Sequence, residues 1–213
     1  MGGEKWSFDR EAVAWDSNPG RVKVAGDIAD AIAGEGILTT DKRVLDFGCG
    51  TGLLALRLQP LVRSITGVDS SRGMLDVFRA KIEERKLANV ETLCLDVEKG
   101  DLLEGRFDVI VCGMTLHHVK NIGPLLNQFH RVMTPGGYLC IADLDTEDGQ
   151  FHGENDSVFH LGFDRRDMER LLGEAGFDII GCRTATAVAK SVADGSMRSF
   201  DIFLMTGRKN VPL

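Results

Sequence analysis

The sequence predicts an α/β fold: a doubly wound, mostly parallel seven-stranded sheet with helices on both faces and a C-terminal antiparallel β-hairpin. Two observations lead to this prediction. Between residues 43 and 144, short apolar runs alternate with amphipathic stretches, which is the order of βαβ units on a parallel sheet. After residue 176, two strand-like runs flank a glycine-containing turn, which is typical of an antiparallel hairpin.

The predicted core strands are rich in Val, Ile, Leu, Phe and Cys, as expected for strands that are covered on both faces. They are Arg43–Gly48, Ser64–Asp69, Val90–Val97, Phe107–Met114 and Tyr138–Leu144, followed by the hairpin strands Phe177–Lys190 and Met197–Lys209.

Apolar residues at helical spacing predict the helices between these strands. These helices are Thr51–Val62, Ser71–Leu87 and Ile122–Met133, with a further charged helix from Asp164 to Ala175. The run TPGG at residues 134–137 is expected to end the third helix. Another helix is expected to begin at Asn18-Pro19, ahead of the sheet.

Length and composition predict one globular domain, because 213 residues with 43% hydrophobic residues can bury a sizeable core. Its expected parts are an N-terminal lid and helix segment (1–36), a ligand-binding core (43–145), a long functional loop (145–163), and a helix with the terminal hairpin (164–213). The formal net charge of -7 disfavours nucleic acid as a partner. Without a long apolar run or a hydrophobic signal core, we expect a cytoplasmic protein with no membrane contact.

No metal site is expected from the sequence. The five cysteines are scattered and form no C-x-x-C pair. An acidic run superficially suggests a calcium loop, but its glycine comes one place late and a strand precedes it. That run contains Asp143, Asp145, Glu147 and Asp148, with Glu154 beyond, and we interpret it as a solvated acidic loop.

A glycine-rich loop follows the first predicted strand. The run DFGCGTG at residues 46–52 places three glycines at alternate positions before a helix, so that backbone N–H groups can closely approach a ligand. The pattern alone does not identify the ligand, since the dinucleotide fingerprint is similar.

Two further acids end the next two strands. Asp69 stands where an acid accepts hydrogen bonds from ribose hydroxyls. Asp96 could accept a hydrogen bond from an adenine amino group, while Val97 offers a backbone N–H. The alternative is that both aspartates simply cap helices.

The run VLDFGCGTG at residues 44–52 resembles motif I of the class I S-adenosylmethionine-dependent methyltransferases, particularly the branch that includes ubiquinone and menaquinone biosynthesis enzymes. Later runs are similar to that branch's other motifs: GVDSS at 67–71 with Met74, FDVI at 107–110 leading to LHH at 116–118, and MTPGG at 133–137. The resemblance spans about residues 43 to 145. It implies a single Rossmann-like methyltransferase domain that uses S-adenosyl-L-methionine.

The resemblance also implies which residues bind the cofactor. The glycine-loop residues would border its methionine part, Asp69 its ribose, Asp96 the adenine edge, and Met74 and Val97 the adenine faces. Asp46, under the loop, would orient the glycine backbone and the amino group. The full set is Asp46, Gly48, Cys49, Gly50, Asp69, Ser70, Met74, Asp96, Val97 and Gly113.

Two histidines are the candidate catalytic residues. The cleft of an open parallel sheet lies beyond the carboxyl ends of its strands, at the switch point between the first and fourth strands here. His117 and His118 follow the fourth strand, where one could act as a base or orient the substrate, or instead pin the loop by hydrogen bonding. Because neighbours in an extended segment point oppositely, we expect at most one of them to face the cleft. His152 and His160 are weaker candidates.

The N-terminal aromatic residues Trp6, Phe8 and Trp15 either close over a ligand or pack on the sheet rim. The predicted function is methyl transfer to a small-molecule acceptor, because the fourth strand lacks the Pro-Pro-aromatic motif expected of nucleic-acid amino methyltransferases. A non-catalytic S-adenosylmethionine-binding protein and an NAD(P)-dependent oxidoreductase stay as alternatives. The acceptor, the atom methylated, the use of a general base and the oligomeric state are left open.

Overall fold

The computed structural model describes residues 7–152 and 157–210. Seven strands lie in this described part of the chain. In chain order they are β1 (Arg43–Phe47), β2 (Ser64–Asp69), β3 (Val90–Cys94), β4 (Phe107–Gly113), β5 (Met133–Leu144), β6 (Phe177–Ser191) and β7 (Met197–Lys209).

The helices in the described part of the chain precede the sheet or connect its strands. They are α1 (Phe8–Glu11), α2 (Pro19–Ala33), α3 (Ala55–Leu58), α4 (Arg72–Glu84), α5 (Ile122–Val132) and α6 (Arg165–Glu174). Short 3₁₀ helices cover Ala12–Ser17, Gln59–Leu61, Val97–Lys99 and Leu116–His118.

All seven strands form one sheet in the order β3-β2-β1-β4-β5-β7-β6. The strands β1 to β5 pair in parallel, whereas β7 pairs antiparallel with both β5 and β6. The predicted fold class, including the terminal hairpin, is therefore confirmed. The strand order reverses between β1 and β4, which opens a crevice at their carboxyl ends.

Each face of the sheet is covered by its own helices, because alternate strand residues point to opposite faces. On one face, Val44 and Val111 belong to a buried cluster with residues of α2, α3 and α4. On the other, Leu45 and Ile110 belong to a cluster with residues of α5 and α6. These central strands are thus buried on both sides, which fixes their carboxyl ends as a rigid platform for a site.

Side-chain caps set the start of two helices at this platform. Asn18 Oδ1 accepts a hydrogen bond from Gly20 N at 2.9 Å, and Pro19 occupies the first helical turn of α2. Ser71 Oγ accepts one from Met74 N at 3.1 Å and caps α4. The helix α4 therefore begins at Arg72, three residues after Asp69.

Several predicted boundaries were wrong; the helix expected to run to Leu87, for example, ends at Glu84. The helix expected over residues 51–62 is only one turn, α3, followed by a 3₁₀ turn, because Gly52 adopts a φ of +82° and Pro60 lacks an N–H to donate. The strand β5 begins at Met133 rather than Tyr138, since Met133 pairs with Phe107 before a register shift. The strand β3 ends at Cys94 because the chain turns into a 3₁₀ helix at Val97.

In residues 7–152 and 157–210, no helix is both long and apolar enough to span a membrane.

Candidate active site

A cavity of about 560 Å³ lies at the carboxyl ends of the central strands, between the glycine loop, α2 and the chain ahead of α2. All the residues that the sequence analysis assigned to the cofactor, and both candidate catalytic histidines, line this cavity. They are Asp46, Gly48, Cys49, Gly50, Asp69, Ser70, Met74, Asp96, Val97, Gly113, His117 and His118.

The glycine loop turns sharply under the cavity. Gly48 has a φ of +71°, and a Cβ at this position would lie 2.2 Å from the side chain of Thr115. Gly50 has a φ of +52°, and a Cβ there would meet no atom within 4 Å. Glycine is thus required at position 48 by the protein itself, whereas at position 50 it leaves open space beside the cavity.

Asp69 holds the loop in place. Its Oδ2 accepts a hydrogen bond from Gly50 N at 2.8 Å, and its Oδ1 accepts one from Ser71 N at 2.8 Å. Burial raises the pKa of the Asp69 carboxyl above its usual range, although these backbone hydrogen bonds oppose the shift. The carboxylate connects the glycine loop to the start of α4.

Asp46 lies beneath the same loop and is only 1% exposed. Burial, reinforced by the charge of Asp69, raises the pKa of Asp46 to about 7, and a hydrogen bond from the Ala55 backbone partly offsets this. Its Oδ2 has no hydrogen-bond partner among the described residues. The resemblance implied that Asp46 orients the glycine backbone, but Gly50 N donates its hydrogen bond to Asp69.

Met74, Asp96 and Val97 also line the cavity. Met74 lies in the first turn of α4 and is 1% exposed. Asp96 accepts a hydrogen bond from Glu98 N at 3.1 Å and pairs with Lys99 Nζ at 2.8 Å. The helix-cap interpretation therefore applies to Asp96, which also lines the cavity.

The segment before α2 crosses the cavity and is tied down by two aspartates that the sequence analysis missed. Asp9 Oδ1 accepts hydrogen bonds from Ser71 Oγ at 2.6 Å and Gly73 N at 2.8 Å. Asp16 Oδ1 accepts one from Thr51 Oγ1 at 2.6 Å, and Asp16 also pairs with Lys81. No sequence signal marks these contacts, because they join residues far apart in the chain.

Aromatic residues of this segment form the roof of the cavity. Phe8 and Trp15 line it with ring centroids 5.8 Å apart, and the Arg21 guanidinium lies 3.7 Å from the Trp15 ring centroid. Trp6 lies outside the described residues. Of the two interpretations given to these aromatics, the structure favours closure over the cavity for Phe8 and Trp15.

The end of the cavity opposite the acids is rich in histidine. Both His117 and His118 line the cavity, so the expectation that at most one would do so was wrong. Its premise was an extended segment, in which neighbouring side chains point in opposite directions. Leu116–His118 instead form a 3₁₀ turn, in which neighbours are only about 120° apart, so both rings can reach the cavity.

His117 is oriented by a buried carboxylate. Its Nδ1 lies 2.6 Å from Asp143 Oδ1, and the side chains are 1% and 0% exposed. Burial alone would raise the pKa of Asp143, but the charge and hydrogen bond of His117 hold it below its usual value. Because a carboxylate only accepts, His117 Nδ1 carries a proton, and whenever the ring is neutral the lone pair lies on Nε2.

His152 from the loop after β5 joins the two neighbouring histidines. Its ring centroid lies 4.7 Å from that of His117 and 5.6 Å from that of His118. Burial and the neighbouring histidines lower the pKa of His118 to about 4 and of His152 to about 3. His160 instead bonds the Val119 carbonyl at 2.9 Å through Nε2, which is a loop-pinning role.

A family model described as a methyltransferase domain matches residues 45–141, the span that carries the glycine loop, Asp69, Asp96 and both histidines. Residues 45–141 are therefore a class I S-adenosylmethionine-dependent methyltransferase domain. This assignment confirms the resemblance and the cofactor, and it excludes the oxidoreductase alternative.

Two similar proteins match this chain over part of their own length. An uncharacterized methyltransferase of Schizosaccharomyces pombe is 35% identical over 129 residues, which cover 56% of this chain and 45% of that protein. A ubiquinone biosynthesis O-methyltransferase of Coxiella burnetii is 35% identical over 104 residues, covering 49% of this chain and 44% of that protein. The chain thus spans less than half the length of these relatives.

The fold also matches solved structures. The crystal structure of the YcgJ protein from Bacillus subtilis superposes with a TM-score of 0.72 at 17% sequence identity, covering 87% of this chain and 99% of that one. At this level of identity the match shows a shared fold and no more.

Proposed function

We propose that this methyltransferase transfers the methyl group of S-adenosylmethionine to a small-molecule acceptor. The observation that carries the proposal is the single cavity, which joins the glycine loop and its acids to an end lined by histidine and aromatic side chains. A cofactor and an acceptor bound at these two ends would meet inside one space covered by the N-terminal segment.

The residues at the acidic end fit the cofactor's chemistry. S-adenosylmethionine carries a methyl group on a positively charged sulfur, together with an ammonium group. The buried Asp46 Oδ2 has no hydrogen-bond partner within residues 7–152 and 157–210, so the ionised carboxylate would provide a negative charge for such a cation, and the open space at Gly50 leaves room for it. Asp69 would accept hydrogen bonds from the ribose hydroxyls. The rest of the cofactor would be enclosed by Ser70, Met74, Asp96, Val97 and Gly113.

The histidine end would receive the acceptor. The His117–Asp143 hydrogen bond leaves the Nε2 lone pair of His117 able to accept the proton of an acceptor group, with His118 beside it. In the transfer, the acceptor's lone pair forms the bond to the methyl carbon as the carbon–sulfur bond breaks, and the bonding pair stays on sulfur. The protein's part is to align the two molecules and to exclude water.

Transfer of a labelled methyl group from S-adenosylmethionine to a metabolite extract tests the proposal. We expect a labelled small molecule with the native protein and much less with Asp69→Ala. Cofactor binding without any labelled product would favour the alternative of a non-catalytic binding protein. Label in nucleic acid or in protein would also overturn the small-molecule acceptor.

Replacing Asp16 by Ala should loosen the N-terminal segment and weaken cofactor binding several-fold, about 1 kcal/mol, because the contacts of Asp16 are partly exposed. Limited proteolysis within residues 7–18 and calorimetry measure the two effects. Asp30→Ala removes an equal charge from an exposed position of α2 and should change neither. Unchanged proteolysis and affinity in Asp16→Ala would show that the segment does not cover the cofactor.

A further inference from the structure

Three imidazole side chains from separate parts of the chain converge at the acceptor end of the cavity. His117 and His118 follow β4, whereas His152 follows β5, and a ligand nitrogen from each lies within 4.8 Å of the others. We propose that this histidine triad, His117, His118 and His152, binds one divalent transition-metal ion, with zinc as the ion that best suits three imidazole ligands.

Unsatisfied nitrogens are the first support for the triad. The Nε2 atoms of His117 and His152 are buried and have no hydrogen-bond partner among the described residues. Buried polar atoms rarely stay unpaired, so two of them in one cluster suggest a group that completes them. A metal ion would accept both lone pairs at once.

The surroundings of the triad are the second support. Metal-bound histidines usually donate their other ring N–H to a carboxylate or a backbone carbonyl. His117 Nδ1 does so to Asp143 at 2.6 Å, and His118 Nδ1 lies 2.8 Å from the Ser157 carbonyl. Both contacts hold the rings in fixed orientations, and the contact with Asp143 leaves the lone pair of neutral His117 on Nε2.

The spacing requires a modest contraction on binding. Zinc–nitrogen bonds of about 2.0–2.1 Å in a tetrahedral site imply ligand nitrogens roughly 3.4 Å apart, so the widest pair of the triad would close by about 1.4 Å. Three protein ligands leave a fourth position. Since His117 and His118 line the cavity, that position is open to water or to an acceptor oxygen or sulfur.

This arrangement gives the acceptor end a chemical preference. An ion with an open fourth position would favour the anion of a hydroxyl or thiol bound there. The acceptor's proton would then leave to solvent and not to His117 Nε2, because the ion would occupy that lone pair. The role in transfer rests on the proposed function, whereas the metal site rests on the triad alone. The sequence analysis predicted no metal because the triad joins residues from two separate loops.

Titration of the full-length, chelator-treated protein with Co²⁺ tests the site through its d–d absorption, with Zn²⁺ as competitor. We expect one tightly bound ion whose spectrum indicates nitrogen ligands. His152→Ala should lower the affinity more than about 100-fold, and Asp143→Asn about 10- to 100-fold. His130→Ala, a histidine outside the cavity, should bind Co²⁺ as the native protein does.

Binding that is absent, or equal in the native protein and His152→Ala, would overturn the site. Because His152 is only half-buried, this variant decides the question even where His117→Ala does not fold. Binding of S-adenosylhomocysteine, measured on the same samples, separates the two proposals. If the protein binds S-adenosylhomocysteine but not Co²⁺, the metal site alone is overturned. If it binds Co²⁺ but not S-adenosylhomocysteine, the proposed cofactor site alone is overturned.

Discussion

Replacing Asp69 by Ala is expected to weaken S-adenosylmethionine binding by about 1–3 kcal/mol, or roughly 5- to 150-fold. The native carboxylate accepts hydrogen bonds from Gly50 N and Ser71 N, and in the complex it would also accept from the ribose. The variant loses the ribose contact and leaves two backbone donors without their acceptor. Calorimetric titration with the cofactor measures the change.

Two variants make this prediction specific. Asp76→Ala removes a carboxylate from the exposed surface of α4 and should bind the cofactor as the native protein does. Asp69→Asn keeps the shape of the side chain but only one acceptor oxygen, so it should fall between the native protein and Asp69→Ala. Native affinity in Asp69→Ala would remove this residue from the binding site.

Cofactor affinity is expected to fall as the pH is lowered from 8 to 6, because Asp46 must be ionised to attract the cation of the cofactor. With a pKa of about 7 in the free protein, about one-tenth of Asp46 is ionised at pH 6, which corresponds to roughly tenfold weaker binding. Calorimetry at several pH values measures this slope. Asp46→Asn should bind weakly even at pH 8 and show a flatter profile.

The same variant should raise the stability of the free protein. Between the usual pKa of 3.8 and about 7, folded Asp46 keeps a proton that the unfolded chain has lost, so native stability falls as the pH rises through this window. Asn stays neutral throughout, and its advantage in thermal unfolding should therefore grow up to pH 7 and stay level above it. A native pH profile of affinity in Asp46→Asn would refute the role given to Asp46.

The sequence predicted that Asp46, Asp69 and Asp96 lie around one cavity, because their placement depends only on which strands they follow. Asp46, Asp69 and Asp96 stand at or beside the carboxyl ends of β1, β2 and β3, and neighbouring parallel strands bring these ends to one edge. Strand identity and order were therefore enough to place the three aspartates around one cavity.

The acceptor end was harder to predict because it depends on contacts between distant segments. His152 lies in the loop after β5, and its ring contacts His117 only in the folded chain. Asp9 and Asp16 contact α4 and the glycine loop, but they lie outside the motifs. The prediction for His117 and His118 failed for a local reason, since periodicity does not distinguish an extended segment from a single 3₁₀ turn.

The central claim is that the cavity binds S-adenosylmethionine through the glycine loop and its acids. Calorimetric titration of the full-length protein with S-adenosylhomocysteine and with NAD tests it most directly. We predict one binding site for S-adenosylhomocysteine, weakened in Asp69→Ala and unchanged in Asp76→Ala, with no binding of NAD. Binding of NAD in place of S-adenosylhomocysteine would contradict it.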